Sequence, residues 1–287
     1  MIRTDLAMEA HSMCRENSQE ATELPGVKSE VRNLDEGITL TIVQVLDQQG
    51  ERLIGKPAGC YVTIEVPDLK YNMAAYEAAC YVLRDELKKM IGETSDKTTL
   101  VTGLGNRDIT PDALGADVVS GLMVTNHLKT HMPQALHEGI SSVCAVAPGV
   151  LGTTGMESAE IIKGVAQRLK PDIIIAVDAL AAADCGRIGN TIQLCDTGIQ
   201  PGAGVGNNRT AINEKEMGAK VIAIGVPTVV DASALMRRDG QEEPDPFMVT
   251  PKDIDLVIER AAKVIANGIN LALHEDITIK EAEEFVG

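Results

Sequence analysis

The chain has 287 residues, of which 44% are hydrophobic and 24% charged, so it is long enough for one large α/β domain or two small ones. Asp and Glu number 42 against 26 Lys and Arg, and the formal net charge of −16 disfavours direct nucleic-acid binding, which needs a basic patch. Aromatic residues make up only 2%, which argues further against the stacking of bases.

The cysteines and the hydropathy pattern bear on where the protein works. The six cysteines include no C-x-x-C pair, and no His stands at zinc-ligand spacing from them. The N-terminus shows no apolar signal segment, and no run of about 18 apolar residues indicates a membrane-spanning helix. We therefore expect a reduced, cytoplasmic protein without a membrane partner.

The N-terminal part, residues 1–70, is predicted to contain β structure. A short helix is expected over residues 3–17. Two strands follow at 38–46 and 59–66, where β-branched residues are enriched, and a turn at Gln48-Gln49-Gly50 separates them. These two strands are predicted to pair in the antiparallel sense.

From residue 71 onward, helical and strand patterns alternate. The predicted helices cover 71–91, 110–128, 158–169 and 250–273, and the predicted strands cover 98–104, 142–147, 172–177, 191–195 and 221–226. This alternation predicts an α/β fold with a mixed, largely parallel sheet flanked by helices. We expect a single domain over residues 1–287, with 71–287 as the core and 1–70 as an N-terminal β appendage.

Two aspartates are candidates for acid–base chemistry. Asp178 follows the apolar residues 173–177 at the predicted carboxyl end of a buried strand, where desolvation should raise its pKa. Asp112 falls in the first turn of a helix with Thr110 as N-cap and Pro111 at the first position, where the helix dipole should lower its pKa. On one edge of the sheet, one could act as acid and the other as base towards water. The alternatives are structural: a capping role for Asp178 and an ordinary first-turn acid at Asp112.

A third aspartate lies in Asp196-Thr-Gly198, which is similar to the active-site loop of pepsin-like proteases. That fold is all-β and needs two such loops, so we expect Asp196 and Gly198 to support the site rather than to perform the reaction. The glycine-rich run 198–206 could bind an anion through backbone N–H groups, although it has neither dinucleotide nor P-loop spacing. A non-catalytic anion-binding α/β module is therefore one alternative function.

Histidines offer a weaker candidate site. His127 and His131 are four residues apart and would share a helix face, with His137 close by. No H-E-x-x-H pattern surrounds them, so a solvated face is favoured over a metal pair. The chain also lacks the G-x-S-x-G motif of serine hydrolases. No metal and no cofactor are predicted.

Several short motifs follow one another along the chain. They are Arg3-Thr-Asp-Leu-Ala, Gly103-Leu-Gly-Asn106, Thr110-Pro-Asp-Ala-Leu-Gly115, Ala147-Pro-Gly-Val150, Asp178-Ala-Leu-Ala-Ala182, Asp196-Thr-Gly-Ile199, Gly204-Val-Gly-Asn207, Gly225-Val-Pro-Thr-Val-Val-Asp231, Met248-Val-Thr-Pro-Lys and Asn267-Gly-Ile-Asn-Leu-Ala-Leu-His274. Together they resemble the germination protease family of spore-forming bacteria, and the resemblance covers nearly the whole chain.

The resemblance implies an endopeptidase that initiates the degradation of small acid-soluble spore proteins during germination. It implies an atypical aspartic peptidase with the fold of hydrogenase maturation proteases, and its proposed catalytic pair maps onto Asp112 and Asp178. Asn106, in the neighbouring motif, is expected to support the site or bind substrate. The resemblance also implies a zymogen, a homotetramer and a location in the cytoplasm of the spore core. A metal-assisted peptidase, like the hydrogenase maturation enzymes, is the alternative among enzymes.

The chain departs from the family pattern in two places. Relatives carry extra residues before the Arg3-Thr-Asp-Leu motif, so we expect either a processed form or a different control of activation. The segment between Val230 and Met248 is shorter than in relatives and contains the polar stretch 237–246, a predicted surface loop. Its shortness is expected to alter how subunits or substrate are held.

Overall fold

The computed structural model describes residues 4–18, 24–94, 97–136, 139–202, 209–232 and 247–287. Arg3, His137, the Gly204-Val-Gly-Asn207 motif and the predicted loop 237–246 lie outside the described residues. The described helices are α1 (Ala7–Ser18), α2 (Gln48–Ile54), α3 (Met73–Ile91), α4 (Leu114–Ser120), α5 (Asn126–His131), α6 (Leu151–Thr154), α7 (Ser158–Leu169), α8 (Glu214–Met217), α9 (Ile254–Leu273) and α10 (Ile279–Val286). The described strands are β1 (Val27–Asn33), β2 (Thr39–Val45), β3 (Gly59–Glu65), β4 (Thr98–Gly103), β5 (Ser142–Val146), β6 (Ile173–Ala182), β7 (Thr191–Cys195), β8 (Lys220–Asp231) and β9 (Met248–Val249).

These strands form one sheet in the order β1-β2-β3-β7-β8-β6-β4-β5, with β9 paired to β8. The pairs β5–β4, β4–β6 and β6–β8 are parallel. The pairs from β1 through β2, β3 and β7 to β8 are antiparallel. The predicted mixed α/β sheet is confirmed, and so is the antiparallel pairing of β2 with β3. The N-terminal strands extend the main sheet, because β3 pairs with β7.

Helices cover both faces of the sheet, and β6 shows how the two faces are divided. Ile173, Ile175 and Val177 pack in the cluster that contains α3 and α9. Ile174 and Ala176 pack in the cluster that contains α7 on the opposite face. Successive side chains of a strand point to opposite faces, which is why a strand buried on both sides is apolar throughout.

Two predicted elements end differently in the structure. β6 continues to Ala182 instead of ending at Val177, because the longer strand β8 pairs with it over its whole length, as far as Val230. Asp178 therefore lies inside the strand and not at its end, which corrects the prediction. However, β4 stops at Gly103 opposite Val177, so Asp178 is the first β6 residue beyond the end of its parallel neighbour.

The predicted helix 110–128 is wrong as a single element. Residues Thr110–Asp112 form a 3-10 turn in which Thr110 makes no capping bond, and α4 ends before Gly121. The helix stops there because the Asn270 side chain of α9 donates to the Gly121 carbonyl and accepts from the Met123 N–H, both at 3.0 Å. These tertiary hydrogen bonds replace those that a continuing helix would form.

Other short elements were not expected from the sequence. The predicted turn at residues 48–50 opens α2, where the Asp47 carboxylate caps the helix by accepting from the N–H groups of Gln49 and Gly50. The sequence also did not predict β1, β9 or α10, and α9 begins at Ile254 instead of residue 250. β1 is exposed over nearly all of its length and β9 has two residues, so neither shows the alternation that identifies a strand. α10 has a capping box of Thr278 and Glu281, a local signal that could have identified it.

Candidate active site

A cleft of about 410 Å³ opens where β4 ends. The loop after β4, the 3-10 turn at residues 110–112, and parts of β6 and β8 line it. Its lining includes both predicted aspartates, Asp112 and Asp178, together with Asp5 from the N-terminal segment and Arg209. The fold thus brings together two carboxylates that the sequence predicted and two charged side chains that it did not.

Asp178 is the most deeply buried carboxylate of the cleft, with 7% of its surface exposed. Among the described residues, its carboxylate accepts one hydrogen bond, from the N–H of Ala179 at 2.9 Å. Burial raises the pKa of Asp178 well above its usual value, and the negative charges of Asp112 and Asp5 raise it further. The predicted direction of this pKa shift is confirmed.

Asp112 is half-buried, and the loop after β4 wraps around it. Its Oδ2 accepts from the Asn106 N–H at 2.8 Å. Gly105 has φ +98°, and a Cβ there would lie 2.1 Å from the Asp112 carbonyl oxygen, so only glycine allows the loop to approach this closely. The backbone around Asp112 is therefore shaped to hold its carboxylate in the cleft.

The predicted lowering of the Asp112 pKa is wrong. Burial raises the pKa of Asp112, against the opposing effects of the Asn106 N–H and the positive charge of Arg209. The prediction assumed the start of a long helix, whereas Asp112 ends a three-residue 3-10 turn with few aligned peptide dipoles. Desolvation in the cleft consequently outweighs the dipole.

Asp112 and Asp178 still differ in the way that acid–base chemistry requires. Both pKa values are raised, but Asp178 is more buried and its pKa is also raised by the charge of Asp112. In such a pair the less buried carboxylate ionises first and the other retains its proton. The structure therefore favours an ionised Asp112 beside a protonated Asp178.

Asp5 reaches the cleft because the N-terminal segment lies along β6. Its N–H donates to the Ala181 carbonyl at 2.9 Å, and its Oδ2 accepts from the Ala181 N–H at 2.8 Å. The Gln193 amide of β7 holds the same segment, donating to the Asp5 carbonyl at 3.1 Å and accepting from the Ala7 N–H at 2.7 Å. The Arg3-Thr-Asp-Leu-Ala motif was visible in the sequence, but no local pattern indicated this long-range contact.

Comparison with known proteins identifies the family. A family model described as germination protease matches residues 7–239 and 244–286. The germination protease of Clostridium acetobutylicum is 41% identical to this chain over 99% of each protein. The germination protease of Caldanaerobacter subterraneus subsp. tengcongensis is 42% identical over 99% of this chain and 98% of its own. The chain belongs to the germination protease family. It is therefore a peptidase.

One solved structure is also similar to this family member. The [NiFe] hydrogenase maturation protease HycI from Thermococcus kodakarensis KOD1 is 18% identical, and the match covers 64% of this chain and 98% of that one. The TM-score of this match is 0.37.

The remaining predicted site residues of this germination protease family member take different places. Asn106 acts through its backbone N–H, which binds Asp112. Asp196 is exposed at the end of β7, where its Oδ1 accepts from the Cys60 N–H at 2.8 Å, and it is not among the residues lining the cleft. Gly198 lines a neighbouring pocket of about 290 Å³. Its φ is +77° and a Cβ there would lie 2.2 Å from the Ile212 carbonyl oxygen, so its glycine is required by the backbone. Substrate-binding roles for these residues stay predictions.

Two further observations concern metals and membranes. His127 and His131 are both exposed on the short helix α5. Among the described residues, no group of three or more His, Cys, Asp or Glu side chains is placed to hold a metal ion. Within the same part of the chain, no helix combines the length and apolar character needed to span a bilayer.

Proposed function

We propose that this protein is an endopeptidase that initiates the degradation of small acid-soluble spore proteins during germination. Membership of the germination protease family supports the substrate class. The chemistry rests on one observation: Asp112 and Asp178 line the same cleft, and among the described residues a single N–H donates to the carboxylate of the more buried one. We assign peptide-bond hydrolysis to this pair.

In the proposed reaction, ionised Asp112 acts as the base and protonated Asp178 as the acid. Asp112 takes a proton from a water molecule whose oxygen attacks the peptide carbonyl carbon, forming a tetrahedral intermediate. Asp178 donates its proton to the amide nitrogen as the C–N bond breaks, which releases an amine and a carboxylic acid. Transfer of the proton from Asp112 to Asp178 restores the starting state.

Arg209 supplies the positive charge that this reaction needs. Of the described residues lining the cleft, it alone is cationic, and its charge lowers the pKa of both Asp112 and Asp178. A guanidinium in a partly desolvated cleft stabilises the oxyanion of the tetrahedral intermediate by direct electrostatic attraction. The sequence did not indicate Arg209, because it follows a glycine run without a recognisable catalytic motif.

The shape of the cleft suits an extended peptide. A volume of about 410 Å³ accommodates a short stretch of main chain with its side chains, whereas a folded domain cannot reach carboxylates buried to this degree. Small proteins that lack a stable fold present such a stretch without first unfolding. The zymogen form, the homotetramer and the spore-core location implied by the resemblance stay predictions.

The test is cleavage of a purified small acid-soluble spore protein, with fragments identified by mass spectrometry. We expect Asp112→Asn and Asp178→Asn each to lower kcat/KM by about 10³-fold, because each removes a proton-transfer group and leaves the size of the side chain unchanged. Asp255→Asn, an exposed aspartate of α9, is the matched control and should retain wild-type activity. Full activity of either cleft variant contradicts the proposed pair.

A parallel assay after exhaustive chelation separates this mechanism from a metal-assisted one. Retained cleavage favours the aspartate pair alone, and lost cleavage that Zn²⁺ or another divalent ion restores favours the metal-assisted alternative. If the wild-type protein produces no fragments, the anion-binding module gains support instead.

A further inference from the structure

The Arg3-Thr-Asp-Leu-Ala motif has no part in the mechanism above, yet the structure places its aspartate at the cleft. Asp5 lines the cleft together with Asp112 and Asp178. It is bound to β6 at Ala181, three residues beyond Asp178, through both its N–H and its carboxylate. A carboxylate carried in from the N-terminus thus shares the space of the catalytic pair.

The N-terminal segment is held firmly just after Asp5, so the position of this charge is fixed. Leu6 and Ala7 are fully buried in the cluster that includes Leu180 and Ala182. At the next turn, the Glu9 carboxylate accepts from the N–H groups of the two residues that follow β6. Apolar burial and backbone hydrogen bonds together leave Asp5 little freedom to move away from the cleft.

Three carboxylates in one cleft cannot all ionise without a large electrostatic penalty. Asp5 has the Ala181 N–H to stabilise its charge, and Asp112 has the N–H of Asn106. Among the described residues, Asp178 accepts the N–H of Ala179 alone, and it is the most buried of the three. Each of the three carboxylates is thus stabilised by a backbone N–H, and the difference in burial decides where the proton resides: it stays on Asp178, while Asp5 and Asp112 carry the charge.

The charges around Asp178 fit this distribution. The 3-10 turn contributes Asp112, the N-terminal segment contributes Asp5, and the loop before α8 contributes Arg209. On β8 the residue opposite Asp178 is Gly225, which carries no charge. The negative charge of Asp5 raises the pKa of Asp178, and Asp5 is bound at Ala181 on the strand that carries Asp178. The charge of Asp5 therefore acts most directly on this member of the pair.

We propose that Asp5 is a positioning residue of the active site, whose fixed carboxylate keeps Asp178 protonated while Asp112 is ionised. The catalytic meaning of this inference rests on the proposed peptidase function. It assigns a chemical role to an N-terminal motif that lies far from both aspartates in sequence. It also predicts an effect on one limb of the pH profile only.

The test is the pH dependence of kcat/KM for Asp5→Asn, which removes the charge and retains an oxygen acceptor for the Ala181 N–H. We expect the basic limb, which reports the loss of the Asp178 proton, to move to lower pH by about 0.5 unit or more, because a nearby negative charge has been removed. The acidic limb, which reports Asp112, should stay within error. Asp5→Glu retains the charge and should leave the basic limb near its wild-type position.

Glu16→Gln is the matched control, because it removes a negative charge from an exposed position of α1, outside the cleft lining. It should leave both limbs unmoved when rates are referred to the folded fraction. A purely structural role for Asp5 would lower activity equally at every pH in Asp5→Asn. Equal basic limbs in Asp5→Asn and Glu16→Gln overturn the proposal. If Asp5→Asn does not fold, Asp5→Ser offers a second uncharged acceptor.

A measurement without substrate separates this proposal from the proposed function. The ¹³C carboxyl resonance of Asp178, assigned by its absence in Asp178→Asn, should titrate at lower pH in Asp5→Asn than in the wild-type protein. An unchanged midpoint overturns the role of Asp5 even if the enzyme cleaves spore proteins. A lowered midpoint supports it even if the wild-type protein cleaves none, in which case only the peptidase function fails.

Discussion

Two carboxylates near the end of β6 are almost equally buried, yet their surroundings differ. Glu9, in α1, is 6% exposed, and Asp178, within β6, is 7% exposed. Glu9 accepts from the N–H groups of Ala183 at 2.8 Å and Asp184 at 3.0 Å. Its Oε1 also lies 3.2 Å from Nε of Arg187. The negative charge of Glu9 is therefore balanced by Arg187, and both of its carboxylate oxygens accept hydrogen bonds.

Among the described residues, Asp178 has fewer hydrogen-bond and ion-pair partners than Glu9. One N–H donates to its carboxylate, and the charges nearest to it are mostly negative. Burial alone thus does not mark a catalytic carboxylate, because a fully bonded one such as Glu9 is a structural anchor. A buried carboxylate that the fold leaves under-bonded costs stability, and that cost is typical of groups retained for chemistry.

The largest change in stability is expected from Glu9→Ala. The change leaves two buried backbone N–H groups without their acceptor and removes one of the two carboxylates that pair with the Arg187 guanidinium, which keeps Glu65. We therefore expect a loss of about 3 kcal/mol in the free energy of unfolding. Urea denaturation monitored by circular dichroism measures it. Glu284→Ala, which removes an exposed glutamate of α10, is the control and should cost less than about 0.5 kcal/mol. Equal losses in the two variants would show that Glu9 is not an anchor.

A smaller effect of opposite sign is expected from Asp178→Asn. Because the folded state raises the pKa of Asp178, ionisation costs stability as the pH rises above the ordinary aspartate value. The uncharged variant should therefore be more stable than the wild type by about 1 kcal/mol at pH 7. The gain should shrink as the pH falls towards the ordinary value of 3.8. Denaturation curves at pH 4 and pH 7 measure the difference. A variant that is less stable than the wild type at pH 7 would contradict the claim that ionised Asp178 costs stability.

The smallest effect is expected at the most conspicuous motif of the sequence. Asp196→Asn should change kcat/KM by less than about threefold, because its carboxylate is exposed and lies outside the cleft lining. The hydrogen bond to the Cys60 N–H is worth about 1 kcal/mol at most, and asparagine retains an acceptor for it. The spore-protein assay decides this, with Asp112→Asn beside it as the inactive reference. A loss as large as that of Asp112→Asn would show that Asp196 takes part in the reaction.

Much of the fold could be predicted wherever a segment is long and strongly patterned. The helix at Ser158–Leu169 and the strand at Thr191–Cys195 have their predicted bounds. The broken helix after Thr110 could not be predicted, because its end depends on Asn270, which is distant in the chain. Helical propensity is local, whereas these hydrogen bonds exist only after α9 has packed against α4.

The candidate site, like the fold, could be predicted from the sequence only in part. The apolar run 173–177 and the glycine-bearing motif before Asn106 marked the neighbourhoods of Asp178 and Asp112 from sequence. The direction of the Asp112 pKa could not be obtained, since it depends on how deeply the cleft buries a short 3-10 turn. Arg209 also had no local signal, because the surrounding residues follow no motif with a known mechanism.

By itself the sequence determined the α/β class, the buried strand ahead of Asp178, and the family, since each depends on residues that are close together in the chain. The three-dimensional fold was needed to show that Asp5 shares the cleft of Asp112 and Asp178, that Asp196 does not line it, and that the pKa values of Asp112 and Asp178 are both raised. The physical reason is that desolvation and Coulomb interactions depend on distance in space, and the fold sets those distances by bringing the N-terminal segment, β4 and β6 together.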